Sequence, residues 1–449
     1  RLVGAEMCIR DSTYAYPQQV KQQDGKYLNN VRKLAATGNF IYALKNDGTV
    51  WAWGRNDRGQ LGLGENTPVR VTLASQVLKG KQKNRTEPAE GQENYIQEIV
   101  DIAVGGVDDA HGFALMIQSV YYGRVYENGQ LVSYSVLSNN VYGVGDNAAQ
   151  QLTGDTTTEK YSLPEVLDRV GDVAASLSAS NSAAAYVLQA NGSIKAMGDN
   201  SQYALGIGED SKNEVEGSVQ LESRALTVGA GRKNAMAVTF RVDQADNGSS
   251  VKVSSDTGHI YGWGLNSSEN GTPFANVVNN ATEIFAPVQL DMPLGGSQGN
   301  NLPLSESEKV ARISGGVSMT LVTAASIGSA INTNSLITMG DNAYGQLGDN
   351  ATSTGGKVTS AVLSATSAAG GGHTLFVDQT GNIHGMGLTS LEQLGLQDIT
   401  ATSTIRGSAV IRMGNTFVIE GKTNSVSIEK DSSGSYDLSL IHISEPTRR

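Results

Sequence analysis

The chain has 449 residues and a formal net charge of −11 at pH 7, and only 17% of its residues are charged. This acidic balance argues against a nucleic-acid partner, because nucleic-acid-binding surfaces need clustered Lys and Arg. A hydrophobic content of 39% suffices for a folded core, so a wholly disordered chain is excluded. No apolar run approaches the roughly 18 residues that a membrane-spanning helix needs.

The two ends differ from the rest of the sequence. Residues 1–12 and 438–449 lack the body's abundant Gly, Asn and Thr, and both resemble translated sequencing-adaptor sequence. We interpret both as non-native segments and treat residues 13–437 as one domain. The single cysteine, Cys8, lies in the first segment, so no disulfide framework is expected. The five histidines show no metal-binding spacing, and we expect neither metal nor cofactor.

The first informative element in chain order is NDGTVWAWGRNDRGQLGLG, residues 46–64. It joins a tight-turn signal, a short apolar strand, a closing glycine and the phrase GQLG. The same arrangement recurs along the chain, 47 to 91 residues apart, and each copy ends its strand at a glycine. These closing glycines are Gly54, Gly145, Gly198, Gly264, Gly340 and Gly387.

Six positions before each closing glycine stands a residue that tolerates a left-handed backbone. These residues are Gly48, Asn139, Gly192, Gly258, Asn334 and Gly381. We predict that each forms the second corner of a two-residue hairpin turn. In the strand that follows, an aliphatic and a small residue share one face, and a large residue takes the other. Such strands can stack on copies of themselves, large residue into small.

Each repeat supplies about four short strands. An apolar segment opened by glycine precedes each turn, and a proline-containing strand follows several closing glycines. Units of four short strands at this period predict a β-propeller. An asparagine recurs two residues after most closing glycines, as in Asn56 and Asn200. We weigh it as a turn residue rather than a ligand-binding residue.

The phrases WAWGRNDRGQLGLG, ITMGDNAYGQLGDN and HGMGLTSLEQLGL resemble the regulator of chromosome condensation repeat family, in a bacterial-type member. The resemblance implies an all-β, seven-bladed β-propeller of four-stranded antiparallel blades. Six repeats are explicit, and the seventh is split. We expect strands near residues 16–38 and 411–428 to join and close the ring. The resemblance also implies structural rather than catalytic roles for His111 and His373.

Long insertions indicate where a partner would bind. In a four-stranded antiparallel blade, the second-to-third connection and the link to the next blade share one face of the disc. Four insertions fall on that face, at residues 79–98, 119–138, 241–256 and 292–308. The insertion at 119–138 holds Tyr121, Tyr122, Tyr126 and Tyr134, and tyrosine is favoured at interfaces. We predict partner binding there; the alternative is an ordinary hairpin whose tyrosines cover its own base.

No catalytic motif accompanies the repeats, and the carboxylates of Asp108 and Asp109 lie in a turn with nothing to raise their pKa. We therefore predict a monomeric, non-enzymatic scaffold, exported or at the cell surface, that binds a protein or a cell-wall polymer. The resemblance implies an alternative, a cytoplasmic guanine-nucleotide exchange factor for a small GTPase. A secreted enzyme inhibitor is the second alternative. Fold alone does not decide among the three.

Overall fold

The structure is a computed structural model, and it describes a defined part of the chain. The described residues are 19–37, 39–80, 95–106, 112–127, 130–171, 173–180, 182–240, 242–244, 251–253, 259–267, 274, 281–290, 308–315, 319–326, 334–340, 343–347, 358–360, 364–369, 372–378, 383–388, 404–410, 416–418, 425–427 and 442–443.

Six antiparallel sheets of four strands follow one another along the chain, and we number them blades 1 to 6. Blade 1 contains β1 (Val31–Ala36), β2 (Phe40–Lys45), β3 (Val50–Arg55) and β4 (Arg70–Gln76). Blade 2 contains β5 (Ile99–Gly105), β6 (Phe113–Glu127), β7 (Gln130–Asp146) and β8 (Lys160–Val166). Blade 3 contains β9 (Ala174–Ala179), β10 (Ala184–Gln189), β11 (Ile194–Gly198) and β12 (Glu216–Ser218).

The remaining blades repeat this order. Blade 4 contains β13 (Arg224–Ala230), β14 (Asn234–Phe240), β17 (His259–Leu265) and β18 (Glu283–Gln289), with a separate ribbon of β15 (Val242–Gln244) and β16 (Val251–Val253). Blade 5 contains β19 (Glu308–Gly315), β20 (Met319–Ser326), β21 (Asn334–Gly340) and β22 (Val358–Ser360). Blade 6 contains β23 (Ser364–Ala369), β24 (His373–Asp378), β25 (Ile383–Leu388) and β26 (Thr404–Val410). A three-stranded sheet of β27 (Thr416–Val418), β28 (Ser425–Ser427) and β29 (His442–Ile443) follows.

The predicted all-β architecture of six explicit four-stranded repeats is therefore confirmed. The three-stranded sheet begins where the split seventh repeat was expected. Within the described residues, the helical structure is limited to a 3-10 turn at Glu209–Ser211.

The closing glycines are backbone requirements of each blade. Gly145 and Gly198 have φ values of 103° and 114°, a left-handed region that favours glycine. A Cβ on Gly198 would lie 1.9 Å from the carbonyl oxygen of Ala183, and that oxygen accepts the N–H of Asp199 at 2.9 Å. The third strand thus presses its last residue directly against the start of the second strand, where a side chain cannot fit.

Each core lies between two blades, as the alternation of residue size predicts. Val50 and Ala52, on the aliphatic and small face of blade 1, belong to one buried cluster with Ile102, Met116 and Val144 of blade 2. A second cluster joins blades 2 and 3, and a third joins blades 3 and 4. The face with large residues therefore packs onto the preceding blade, large side chain into small.

Polar contacts tie the innermost strands together around the axis. The carboxylate of Asp101 in blade 2 forms an ion pair with Lys33 of blade 1. Its second oxygen accepts the backbone N–H of Leu177 in blade 3 at 2.9 Å. The next joint is similar, since the Ser178 hydroxyl accepts the N–H of Ala230 in blade 4 at 3.0 Å. One side chain of blade 2 thus links three consecutive blades.

The loop between the third and fourth strands, which we call the corner loop, packs against the fourth strand of the next blade. In blade 1 the loop has a left-handed residue at Gly59, with φ 71°, where a Cβ would lie 2.6 Å from the Cα of Ser162 in β8. In blade 3 the same position is Tyr203, at φ 58°. The Tyr203 ring meets the edge of Phe285 in β18 at a centroid distance of 6.1 Å. A small residue therefore faces a small one at the first joint, and two aromatic rings meet at the third.

The large-residue face of blade 1 differs from those of blades 2, 3 and 4 in its exposure. Leu34 pairs with the fourth residue of the second strand, counted from the residue opposite the closing glycine. In the first strands of blades 2, 3 and 4 the residues at this position are Ile102, Leu177 and Val228. Those three side chains are at most 5% exposed beneath the preceding blade, whereas Leu34 is 62% exposed. The large-residue face of blade 1 is thus built like the faces that blades 2, 3 and 4 bury.

The residues expected to close the ring have other contacts. Of the segment at 16–38, Val31–Ala36 forms the first strand of blade 1, and the N–H of Ala74 in β4 donates to Lys21 O at 2.9 Å. Among the described residues, the pairing of this segment stays within blade 1. Ring closure by joined terminal strands stays a prediction.

Gly198→Ala tests the requirement for a closing glycine. We expect a loss of about 3 kcal/mol of unfolding free energy, because the new methyl group would overlap a carbonyl oxygen that cannot move without breaking a hydrogen bond. Gly171 has a similar left-handed φ of 83° but only a 3.8 Å contact, so Gly171→Ala should cost about 1 kcal/mol. Urea unfolding of both variants measures the difference, and equal losses would contradict the steric explanation.

Leu34→Ala tests ring closure. If the large-residue face of blade 1 is covered by a closing blade, truncation should cost about 2 kcal/mol, as for other buried leucines. Val100 in β5 is 38% exposed and serves as the control, because Val100→Ala removes methyl groups that face solvent. Closure is refuted if the two variants lose equally little unfolding free energy.

Candidate interaction face

Connections of two kinds meet on one side of the blades, which we call the hairpin face. The turn of blade 1 at Gly48 lies against the link that enters blade 2, because the N–H of Ile99 donates to Gly48 O at 3.0 Å. The N–H of Ser119, at the base of the long β6–β7 hairpin, donates to Glu98 O at 3.1 Å. The second-to-third connections and the interblade links thus share a face, as the topology predicts.

Two of the predicted turn residues adopt the expected conformation. Gly48 and Gly192 have φ values of 80° and 85°. In the first turn Asp47 accepts the Thr49 N–H at 3.0 Å and the Thr49 hydroxyl at 2.6 Å. Burial alone would raise the pKa of Asp47, but these hydrogen bonds and the charge of Lys45 together hold it below its ordinary value. In the second turn Asn191 plays the same part and accepts the Ser193 N–H at 2.8 Å.

The predictions of turns at two other residues, Asn139 and Asn334, were wrong. Asn139 pairs with Ser119 inside the β6–β7 ladder, and the end of that hairpin lies between Glu127 and Gln130. Asn334 is the first residue of β21 and pairs with Ala325. In both repeats the connection is longer than the six-residue step assumes, so counting back from the closing glycine stops inside a strand. Gly258 and Gly381 lie outside the described residues.

The insertion at 119–138 is the continuation of two strands of blade 2. β5 pairs with β6 only as far as Gln118, and β8 pairs with β7 only from Tyr142 onward. Beyond those points, among the described residues, β6 and β7 pair only with each other, up to Glu127 and Gln130. The insertion is therefore a two-stranded ribbon that continues the blade on the hairpin face.

The four predicted partner-binding tyrosines all lie on this ribbon. By register, Tyr121 is opposite Val136, Tyr122 opposite Ser135 and Tyr126 opposite Leu131. Tyr134 is opposite Arg124. Three register irregularities interrupt the ladder, so simple alternation does not assign the four tyrosines to one side of the ribbon. The backbone brings them onto one element, and their binding role stays a prediction.

The other insertions are described in part. In blade 4 β15 and β16 form a second ribbon between the second and third strands. Residues 81–94 and 291–307 lie outside the described residues, as do His111, Asp108 and Asp109.

Sequence reasoning missed two aromatic residues on the hairpin face near blade 1. Trp51 Nε1 donates to the Thr49 hydroxyl at 3.2 Å, and the Lys45 ammonium lies 5.7 Å from the Trp51 ring centroid. Tyr95 pairs with Leu78 through an isolated bridge and is 40% exposed. The Trp-Gly motif draws attention to Trp53 instead, and an isolated tyrosine in a polar insertion gives no periodic signal.

The recurring asparagine on the opposite face is structural. Oδ1 of Asn56 accepts the N–H of Leu61 at 3.0 Å, and Oδ1 of Asn200 accepts the N–H of Leu205 at 2.9 Å. Both asparagines are at most 6% exposed. Where Thr272 replaces the usual leucine, Asn266 Oδ1 accepts the N–H of the buried Phe274 at 2.9 Å. The side chain holds the corner loop closed, so it is not available to a ligand.

Metal and membrane chemistry find no support in the described part of the chain. Its His, Cys, Asp and Glu side chains form no group of three that could hold a metal ion. None of its helices is long and apolar enough to span a membrane.

Residues 31–60 and 47–106 match family models described as the regulator of chromosome condensation (RCC1) repeat. Residues 31–106 of this chain therefore match the RCC1 repeat. The two matches cover blade 1, the link that follows it and the first strand of blade 2. They coincide with the stretch in which the Trp-Gly pair and GQLG stand together.

Three solved structures share the fold. Human WBSCR16 is similar at 15% identity and a TM-score of 0.58, over 87% of this chain and 85% of that one. A structure of Kap60 bound to yeast RCC1 (Prp20) matches at 17% identity with a TM-score of 0.57, over 86% of this chain and 76% of that one. Prp20p from Saccharomyces cerevisiae, described with its binding to Gsp1p and histones, matches at 16% identity with a TM-score of 0.57. The match covers 86% of this chain and 78% of that one. The chain thus has a β-propeller fold.

No curated protein sequence matches the chain. The likeness to solved structures at these identities concerns the fold, so the function must come from the site.

His373, the first residue of β24, occupies the position that Phe40 and Phe113 hold in β2 and β6. Burial lowers the pKa of His373 below 6.5, since the charged imidazolium loses hydration there. The neutral form is favoured in the folded state. Its contribution to stability is full above pH 6.5 and is lost as the pH falls from 6.5 toward the lowered pKa, because the unfolded state protonates first.

We therefore expect His373→Phe to flatten the dependence of unfolding free energy on pH between 7 and 5. Denaturant unfolding at several pH values measures the slope. A slope identical to that of the wild-type chain would show that His373 does not contribute to it.

Proposed function

We propose that this RCC1-repeat propeller is a non-enzymatic binding scaffold that captures a protein or a cell-wall polymer through its hairpin face. One observation carries the proposal. The second-to-third connection of blade 1 is a tight turn at residues 46–48, whereas that of blade 2 is a ribbon over residues 119–138. Both continue the same strands of equivalent blades, so the ribbon is an addition that the fold itself does not need.

The composition of the ribbon supports a binding role. It carries four tyrosines, and its charged residues are Arg124 and Glu127. Tyrosine suits interfaces because its ring buries apolar area at low entropic cost while its hydroxyl finds a hydrogen-bond partner. Loops and hairpins held by a rigid scaffold are where binding residues concentrate. The neighbouring Trp51 and Tyr95 extend the aromatic character of this face onto blade 1.

Location is part of the same proposal. We propose an exported or cell-surface protein of bacterial type, because residues 13–437 contain no cysteine and the chain is rich in Gly, Asn, Ser and Thr with few charges. Sequencing the intact gene across both ends tests this. A signal peptide or wall-anchoring segment would support it, and a cytoplasmic start with a basic tail would refute it.

Replacement of residues 119–139 by Asn-Asp-Gly, the turn of blade 1, tests the binding role. The strand pairs at its base are equivalent to those that flank the blade 1 turn, so the blade should close normally. We expect the melting temperature to stay within a few degrees and partner binding to be lost. Binding is measured by co-sedimentation with isolated bacterial cell walls and by cross-linking to surface proteins.

Two matched variants sharpen this test. Shortening the blade 4 connection between Phe240 and His259 removes the second ribbon and shows whether binding is specific to the first. Substituting all four tyrosines by Ala keeps the ribbon and should reduce binding as strongly as its removal. A fall in melting temperature for the tyrosine variant, with binding retained, would show that the tyrosines only cover the base of the hairpin.

Guanine-nucleotide exchange on a small GTPase is the alternative, and the similarity to yeast RCC1 (Prp20) is the observation that favours it. It is tested by the release of a fluorescent guanine nucleotide from a Ran-type GTPase on addition of the chain, with EDTA as the positive control. Catalysed release would replace the scaffold proposal. Release at the spontaneous rate would remove the alternative.

A further inference from the structure

One edge of the β6–β7 ribbon is a strand edge with no pairing strand in the described part of the chain. β8 pairs with β7 between Tyr142 and Asp146, and Leu167 N donates to Val141 O at 2.8 Å. From there back to Gln130, β7 pairs on its other side with β6 alone. A row of backbone N–H and C=O groups along such an edge is a template for pairing with another strand.

The sequence of this edge lacks the residues that proteins use to protect exposed edges. Residues 130–138 read QLVSYSVLS, with no Lys, no Pro and no charged residue. The opposite strand of the ribbon differs, because it carries Arg124 and Glu127. Pairing along β7 therefore brings no like charges together and leaves no buried charge.

The same edge reads identically in both directions about Tyr134. Residues 131–137 are Leu-Val-Ser-Tyr-Ser-Val-Leu. If two copies of this strand pair antiparallel about a twofold axis at Tyr134, every residue is opposed by its own type. Leu131 then stands opposite Leu137 of the second copy, and Ser133 opposite Ser135. A twofold interface requires a patch that is complementary to itself, and this register satisfies that requirement at every position.

We propose that the chain forms a homodimer, in place of the monomer expected from its sequence, in which the β7 edges of two copies pair antiparallel about Tyr134 and join two ribbons into one four-stranded sheet. The partner is a second copy of this chain. The proposal stands apart from the scaffold function, because it uses backbone pairing of the purified chain and needs no other molecule.

The bulges of the ribbon define where this pairing is strongest. On β7, Val132 and Leu137 fall at register irregularities, while Ser133–Val136 runs without an extra residue. This stretch includes the centre of the palindrome, and the third irregularity, opposite Ser135 and Tyr134, places its extra residue, Gly123, on β6. Bulges at both ends limit the ladder, so we expect a reversible dimer rather than an extended fibre.

A cysteine at the twofold position tests the register. Residues directly opposite in an antiparallel pair have Cα atoms about 4.5–5.5 Å apart, within the range of a disulfide. Tyr134→Cys in a Cys8→Ser background should therefore cross-link two chains under mild oxidation and double the 47.1 kDa mass on non-reducing gels. Ser138→Cys is the matched control, because its two copies would be roughly 27 Å apart. Equal cross-linking by both variants, or by neither, overturns the proposal.

Charge substitutions test the interface without a covalent bond. Ser133→Lys with Ser135→Lys places ammonium groups opposite each other at two positions and should produce a monomer in light scattering. Ser133→Lys with Ser135→Glu places opposite charges there and should keep the dimer, at least tenfold tighter than the first pair. The wild-type chain should show a concentration-dependent mass at micromolar concentrations. A constant monomer mass, or the same mass for both double variants, refutes the dimer.

These outcomes are independent of the scaffold proposal. Partner binding to cell walls or surface proteins is measured with a second component present, and the dimer is measured with the chain alone. The lysine pair leaves all four tyrosines and the length of the ribbon unchanged.

Discussion

The close approach of the third strand to the second, at the closing glycine, is the constraint on which the blades depend. At this point the third strand turns into a left-handed conformation, and the next N–H bonds back to the carbonyl at the start of the second strand. The distance leaves no room for a side chain. Because the strand bends there, the corner loop leaves the blade in a fixed direction and reaches the neighbouring blade.

The packing between blades follows from that geometry. A strand with aliphatic and small residues on one face and a large residue on the other can be buried on both faces only when copies stand side by side. Ile102, Met116 and Val144 need Val50 and Ala52 opposite them, so a blade cannot complete its core alone. The polar link at Asp101 then fixes the spacing of the inner strands around the axis. Stability is a property of neighbouring pairs rather than of single sheets.

Much of this could be predicted from the sequence, because the repeat signals are local. The closing glycines, the large and small alternation, and the turns at Gly48 and Gly192 each depend on residues within one hairpin. The misplaced turns at Asn139 and Asn334 show where local reasoning fails. Counting six residues back from the closing glycine assumes that every hairpin has the same length. An insertion whose two halves pair with each other lengthens the hairpin, so the turn lies farther from the glycine than this count predicts.

Other features could not be predicted from the sequence, because they depend on contacts between segments that are distant along the chain. The pairing of the first residues with β4 and the three-blade link of Asp101 have no periodic signal. The candidate site was predicted as a region, the ribbon at 119–138, but its register irregularities could not be read from alternation. Whether Trp51 and Tyr95 belong to the hairpin face depends on how the blades are assembled, and the sequence alone does not give this.

The contacts at the corner loops carry a consequence for the evolution of the chain. Gly59 meets Ser162 across one joint, and Tyr203 meets Phe285 across another, so these two corners are matched in volume to the strands that they contact. If the blades arose by duplication, their joints have since diverged together. Exchanging blades 1 and 3 would set a tyrosine ring against the backbone at Ser162 and leave Phe285 facing a glycine. The corner-loop contacts of blades 1 and 3 therefore fit only their present neighbours, and these two repeats are not interchangeable.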